Sequence, residues 1–228
     1  MAQGLILPCC VAPKSSDCGH ELYTEISSHT PMSSYPNASF IKSANALNQF
    51  PEDQGVEVAV AGRSNAGKSS AINIIVNRRQ FARTSKTPGR TQLVNFFSLN
   101  EGQRLVDLPG YGFAKVSNRM RHHWGELLSG YFEVRQSLGG MLLIVDMRRR
   151  LTDYDRAMMQ FAEEVSLPVH ILLTKADKLK RGQAATAVLE VRKEVGDKAT
   201  VQAFSATKRL GEDEARLKLE EFLQASPQ

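Results

Sequence analysis

Apolar residues fall along this chain in short blocks with two different spacings. Residues 56–61, 93–99, 104–107, 141–145, 169–173 and 200–204 are brief runs rich in Val, Ile, Leu and Phe, which predict strands. Between them apolar positions recur at helical spacing, predicting helices over 69–76, 120–135, 153–165, 183–195 and 213–223. In the second helix Trp124, Leu127, Leu128 and Tyr131 share one face, which assigns them to the core. Thr152 sits where it can cap the third. The tight turn Asn100-Glu101-Gly102 joins its two flanking strands as an antiparallel pair. Strand and helix otherwise alternate, which implies parallel neighbours. The prediction is an α/β, three-layer, doubly wound fold around a six-stranded, mostly parallel sheet with one antiparallel strand. Residues 1–38, rich in Ser, Pro, Thr and His, show no periodicity and read as a disordered N-terminal extension. Residues 39–228 read as one domain without internal repeats.

The chemistry enters at the ends of the predicted strands. After the first comes Gly62-Arg63-Ser64-Asn65-Ala66-Gly67-Lys68-Ser69, which fits the loop that wraps a nucleotide triphosphate. Gly62 and Gly67 let backbone N–H groups turn onto phosphate, Lys68 supplies a cation, and the Ser69 hydroxyl suits Mg²⁺. The helix that follows aims its positive dipole end at the anion. Asp107-Leu108-Pro109-Gly110 ends a second strand, placing a carboxylate where it can hold Mg²⁺ through water and a glycine N–H near the γ-phosphate. Thr174-Lys175-Ala176-Asp177 ends a third. Its carboxylate can accept two hydrogen bonds from the N1–H and N2–H₂ edge of guanine, a donor pair that adenine lacks. A site built for that pair rejects adenine by ~3 kcal/mol or more, because its own carboxylate is left unpaired. The stem of Lys175 can lie along the base. Phe204-Ser205-Ala206 ends a fourth strand and can offer a backbone N–H to guanine O6. Ligands bind at this carboxyl edge of a parallel sheet.

The order GRSNAGKS, PGRTQ, DLPGYGFAKV, TKAD and FSA resembles the EngB family of bacterial GTPases, also called YihA or YsxC, over roughly residues 39–225. The resemblance implies the P-loop GTPase fold and hydrolysis of GTP to GDP. It also implies a cytoplasmic switch in late assembly of the large ribosomal subunit, needed for normal cell division and septation. Gly89, Arg90, Thr91, Gln92 and Leu93 join the GTP-binding set. Thr91 is the expected switch I threonine, because Gly89-Arg90-Thr91-Gln92 lies in the linker before the next strand; Thr84 and Thr87 compete for that role. Ser69 and Thr91 are thus the expected direct Mg²⁺ ligands, with Asp107 in the outer shell.

Hydrolysis is in-line attack of water on the γ-phosphate, driven by positioning and charge neutralisation. Lys68 and Thr91 are expected to take part. Many small GTPases place a water-orienting Gln directly after D-x-x-G; here that position is Tyr111, so turnover is expected to be slow without an activator. Asn65 lies where potassium-activated relatives of this class carry a cation-binding Asn, so K⁺ is the second expected cofactor, and Asn65 a catalytic candidate. The alternative for Asn65 is simple support of the loop.

Composition narrows the partners. The chain of 228 residues carries a net charge of +5, and its excess cations lie in the GTPase body. Arg78-Arg79, Arg83, Lys86, Arg90, then Arg119, Arg121, His122 and His123, then Arg148-Arg149-Arg150, Lys178, Lys180 and Arg181 read singly as solvated surface charge; together on one rim they suit phosphate contacts with rRNA, which the resemblance implies is that of a large-subunit precursor. No aromatics interleave with these clusters in the sequence, so recognition by shape and charge is expected. No apolar run approaches the ~20 residues of a membrane span. The three cysteines, Cys9, Cys10 and Cys18, all precede the body, which fits a reducing cytoplasm. With His20 they match no common zinc spacing. Met32, near the end of the extension, is expected to be the native start, and the protein to be a monomer. Two readings of function stand: a GTPase acting on the ribosome, or a nucleotide-dependent interaction module of the division machinery with incidental hydrolysis.

Overall fold

The computed structural model describes residues 35–82, 93–112 and 118–225. Among these residues seven strands form one sheet: β1 Ser39–Ala44, β2 Val56–Gly62, β3 Val94–Asn100, β4 Gln103–Asp107, β5 Leu138–Asp146, β6 Val169–Thr174 and β7 Thr200–Ala203. Their spatial order is β1-β3-β4-β2-β5-β6-β7. β3 is antiparallel to both of its neighbours, and the remaining pairs are parallel. The single reversed strand is therefore the expected one.

The seventh strand was not expected. β1 is an edge strand whose first four residues are exposed, so its sequence shows no alternation of apolar and polar positions. Pairing holds it in place: Phe40 lies opposite Phe97 with ring centroids 5.6 Å apart, and the Ser43 hydroxyl donates to Asn95 Oδ1 at 2.6 Å.

Among the described residues five α-helices cover the faces: α1 Lys68–Ile75, α2 Asn118–Val134, α3 Asp153–Glu164, α4 Arg181–Val195 and α5 Glu212–Leu223. Leu127, Leu128 and Tyr131 of α2, Met158 of α3 and Val191 of α4 share one apolar core with Phe96, Leu143 and Ile171. Ile72 and Ile75 of α1 and Leu219 and Phe222 of α5 form the other with Val58, Leu142 and Leu172. Every residue of β5 is buried, because helices lie over both its faces. Truncating Leu142 or Leu143 to Ala would cost about 2–5 kcal/mol. The side chain of Trp124 lies outside the described residues. Thr152 is the N-cap of α3, as expected, in a capping box with Asp155, whose carboxylate accepts from the Thr152 N–H at 2.8 Å and its hydroxyl at 2.7 Å.

Register brings the chemistry to one edge. Val60 of β2 pairs with Asp107, Gly62 with Ile144, Asp146 with Thr174, and Leu173 with Ala203. Four parallel strands therefore end together, and their last residues meet the loops after β2, β4, β5 and β6.

Candidate nucleotide site

The phosphate loop leaves β2 at Gly62 and enters α1 at Lys68. Gly67 sits at φ +103°, a conformation that L side chains rarely adopt, and it turns the chain into the helix. Gly62 has a different reason to lack a side chain from the one its sequence suggested. It lies in β2, and a Cβ there would come within 2.6 Å of the Ile144 carbonyl oxygen, so close packing against β5 demands glycine. Asn65 also lies in the left-handed region, at φ +61°. The Ser64 N–H donates to the Tyr111 carbonyl at 2.9 Å, tying the loop to the segment after β4. The first amides of α1 have no intrahelical acceptors and are available to an anion.

A cleft of about 1170 Å³ opens over this loop, lined by Ser64, Asn65, Gly67, Lys68, Ser69, Asp107, Leu108, Pro109, Gly110, Leu93 and Lys175. It continues past the loop to Phe40, Arg78 and Phe81, and so exceeds the ~300–1,000 Å³ of most ligand pockets. Its floor holds an ion pair between Lys68 and Asp107. Ser69 and Asp107 bring a hydroxyl and a carboxylate into the same cleft, and these hard oxygen donors fit Mg²⁺. Among the described residues no group of three or more His, Cys, Asp or Glu could hold a metal. Mg²⁺ bound through one hydroxyl, phosphates and water needs no such group.

Residues 174–177, expected to read the base, lie at the next strand end. The Thr174 hydroxyl donates to the Val145 carbonyl at 3.0 Å and to the Ala66 carbonyl of the phosphate loop. Lys175, at φ +61°, turns the chain out of β6, and its ammonium donates to the Asn65 carbonyl and to Asp146 Oδ2, the latter at 2.9 Å. Asp177 accepts the hydroxyl of fully buried Ser205 at 2.6 Å, and this bond holds its carboxyl below the usual carboxylate range. Ser205 in turn accepts the Lys208 N–H at 3.2 Å. The Phe204 N–H is used by the Leu173 carbonyl at 2.8 Å and the Ser205 N–H by the Leu210 carbonyl at 3.0 Å. Those amides are engaged within the fold. Of the backbone donors expected for guanine O6, that of Ala206 has no protein acceptor among the described residues.

Tyr111 does not face the cleft. It is buried in the core with Leu127 and Leu151, and its hydroxyl donates to Asp155 Oδ1 at 2.7 Å. Burial and the neighbouring Asp155 carboxylate push its pKa well up. Thr91, Thr84, Thr87, Gly89, Arg90 and Gln92 lie outside the described residues, as do Cys9, Cys10, Cys18, His20 and Met32. One aromatic does sit against a basic cluster: the Arg78 guanidinium lies 5.8 Å from the Phe81 ring centre.

Asp146 was missed by sequence reasoning. It ends β5, is 7% exposed, and accepts from Arg148 at three points and from Lys175. Burial alone would raise its pKa; the hydrogen bonds from Arg148 and Lys175 instead hold it well below the carboxylate range. Its signal was available, since it is a carboxylate directly after the apolar run 141–145, where other strand-end residues carry the chemistry.

A phosphate loop, a D-x-x-G turn and a T-K-x-D segment on the carboxyl edge of one sheet define a GTPase of the P-loop class, an enzyme that hydrolyses GTP. Residues 57–175 match the family described as 50S ribosome-binding GTPase. The probable GTP-binding protein EngB of Hydrogenovibrio crunogenus is 52% identical over 193 residues, covering 83% of this chain and 91% of that protein. The chain belongs to the EngB family. Among solved structures, a probable GTP-binding protein EngB superposes with a TM-score of 0.61 at 20% identity, covering 74% of this chain and 99% of that one. Era of Aquifex aeolicus bound to GDP and aluminium fluoride gives 0.59 at 21% identity, covering 77% and 58%. At these identities the structural likeness speaks for the fold alone. Among the described residues no helix is long and apolar enough to cross a membrane.

Proposed function

We propose that this GTPase is a slow switch in late assembly of the large ribosomal subunit, required for normal cell division and septation. The observation that carries the nucleotide half is the pairing of Asp177 with buried Ser205 on the same sheet edge as Lys68 and Ser69. The Ser205 hydroxyl keeps this carboxylate charged and oriented, which supports its reading as the group that meets the base. The carboxylate reads guanine through N1–H and N2–H₂, with Thr174, Lys175, Ala176, Phe204, Ser205 and Ala206 shaping the base pocket. Ser69 and Thr91 would hold Mg²⁺, with Asp107 reaching it through water, and the ion would supply positive charge on the phosphate oxygens. Lys68 neutralises the terminal phosphates. Tyr111 contributes packing instead of water orientation, which suits slow intrinsic turnover. K⁺ beside Asn65, or a partner, completes the site.

The partner is a precursor particle whose rRNA phosphates meet the basic rim. Arg149, Lys180 and Arg181 are exposed there and make no ion pair among the described residues. The protein acts as a cytoplasmic monomer. Co-sedimentation with isolated large-subunit precursors in a non-hydrolysable GTP analogue tests this. Binding that is lost in GDP and in high salt supports it. Failure to bind the particles, with retention on division proteins, would replace it with the division-module reading. Turnover that is equal in K⁺ and Na⁺ at matched ionic strength would remove the cation.

A further inference from the structure

We infer that Asp146 is a positioning residue for nucleotide binding: it fastens the base-reading segment to the phosphate loop through the ammonium of Lys175. The inference rests on the reading of residues 174–177 as the guanine-binding segment.

The geometry is a chain of four groups. Arg148 Nη2 donates to Asp146 Oδ2 at 2.7 Å, while Arg148 Nε and its backbone N–H donate to Oδ1 at 2.9 and 3.1 Å. With three donors on it from one residue, the carboxylate keeps one orientation. Its Oδ2 also accepts from Lys175 at 2.9 Å, and the same ammonium donates to the Asn65 carbonyl. One residue earlier, the Thr174 hydroxyl reaches the Ala66 carbonyl. Two successive carbonyls of the phosphate loop are thus held by two successive residues of the base-reading segment. Register makes this possible, because Asp146 and Thr174 are directly paired on β5 and β6.

The charge on Asp146 matters more than its shape. Lysine sits on a flexible four-carbon stem and loses considerable rotamer freedom when held in one geometry. A neutral carbonyl alone is a weak restraint on it. The Asp146 carboxylate is 7% exposed, so its attraction is little screened, whereas Lys175 remains 29% exposed along its side chain and able to lie beside a base. Binding then finds the lysine already in place, and less ordering opposes it. Asp146 itself is absent from the cleft lining.

The competing account is that Asp146 only braces the turn after β5, where its backbone carbonyl also accepts the Arg149 N–H at 2.8 Å. A double-mutant cycle separates the two. Affinities for GDP and for IDP, which lacks the 2-amino group, are measured by calorimetry on wild type, D146N, K175M, the double variant and D177N. Asp146→Asn should weaken GDP and IDP by the same factor, about tenfold, as expected for losing one charge-assisted contact. The loss should appear as faster release, and D146N should cost nothing further in the K175M background. Asp177→Asn should instead lower the ratio of GDP to IDP affinity. If that ratio does not move in D177N, the guanine reading fails, while the coupling of Asp146 to Lys175 is still read from the affinities. Wild-type affinity in D146N, an equal loss with and without Lys175, or a GDP-selective loss would each overturn the inference. Should D146N not fold, the ammonium signal of Lys175 in nucleotide-free wild type, assigned against K175M, decides instead. Restricted rotation supports the tie, and mobility like that of a surface lysine overturns it.

Discussion

Both ends of this sheet carry buried charge, and the two ends are built differently. At the amino end, Glu57 is fully buried, accepts from Arg104 at 2.9 Å, and makes hydrogen bonds with Arg135, one of them at 3.1 Å. Asp53 lies 3.4 Å from Arg135, and the Arg135 guanidinium also caps the Pro51 carbonyl at 2.8 Å. Each charge there has its partner within the fold, and nothing is left over to address a ligand. At the carboxyl edge the cations Lys68 and Lys175 and the carboxylates Asp107 and Asp177 are paired too, but Lys68, Asp107 and Lys175 line an open cleft. A buried pair closed on all sides serves the fold. A pair that opens to a cleft can exchange its partner for a phosphate or a base. Burial and ion pairing alone do not identify a site; the unfilled side does.

Substitutions at the two ends should therefore separate stability from binding. The largest effect on stability is expected from Glu57→Ala, which takes from buried Arg135 its closest carboxylate and leaves it Asp53 and the Pro51 carbonyl, and should cost about 3 kcal/mol. Urea unfolding would measure it, and GDP affinity of the folded fraction should stay at the wild-type value. Asp177→Asn should do the reverse. Loss of the paired carboxylate should weaken GTP by ~3 kcal/mol, roughly a hundredfold, with a gain for xanthosine nucleotides and little change in the unfolding midpoint. Retained GTP affinity without a gain for xanthosine would remove Asp177 from the role of base reader.

Tyr111→Phe tests the ground between the two ends. It deletes one hydrogen bond to Asp155, which keeps its two contacts to Thr152, so about 1.5 kcal/mol of stability should go. GTP turnover should be unchanged, because the ring belongs to the core and not to the cleft lining. A slower kcat would place Tyr111 in the reaction.

The smallest effect expected is a pH dependence far from the nucleotide. His170 is buried between Thr200 Oγ1 at 2.6 Å and Gln202 Oε1 at 2.8 Å. Gln202 Nε2 donates to the Gly211 carbonyl at 2.7 Å, which orients the amide so that its oxygen faces the ring. Nε2 of the histidine then carries the proton. Burial holds the His170 pKa below its ordinary value. The unfolded chain therefore takes up a proton first as pH falls below ~6.5, and stability present above that point is lost as pH drops toward the folded pKa. His170→Gln should flatten this part of the stability profile between pH 7 and 5, while GDP affinity follows the wild-type profile.

Much of the architecture was legible because it depends on local pattern. The parallel strands announce themselves by apolar runs, and the reversed strand by Asn100-Glu101-Gly102. The strand Ser39–Ala44 did not, since an exposed edge needs only a partner in β3, and partnership leaves no period in the sequence. The role of Gly62 was hidden for a related reason. Its constraint comes from Ile144, more than eighty positions away in the chain.

The amino-acid sequence by itself determined the motifs, their order and their attachment to strand ends, because hydrophobic period and turn chemistry act over a few residues. It thereby determined the family and the kind of ligand. Only the tertiary structure decided which charges face inward and which open to the cleft, that Tyr111 belongs to the core, and that Asp146 meets Lys175. Those outcomes depend on strand register and helix packing, which bring together residues whose separation along the chain carries no trace of their contact.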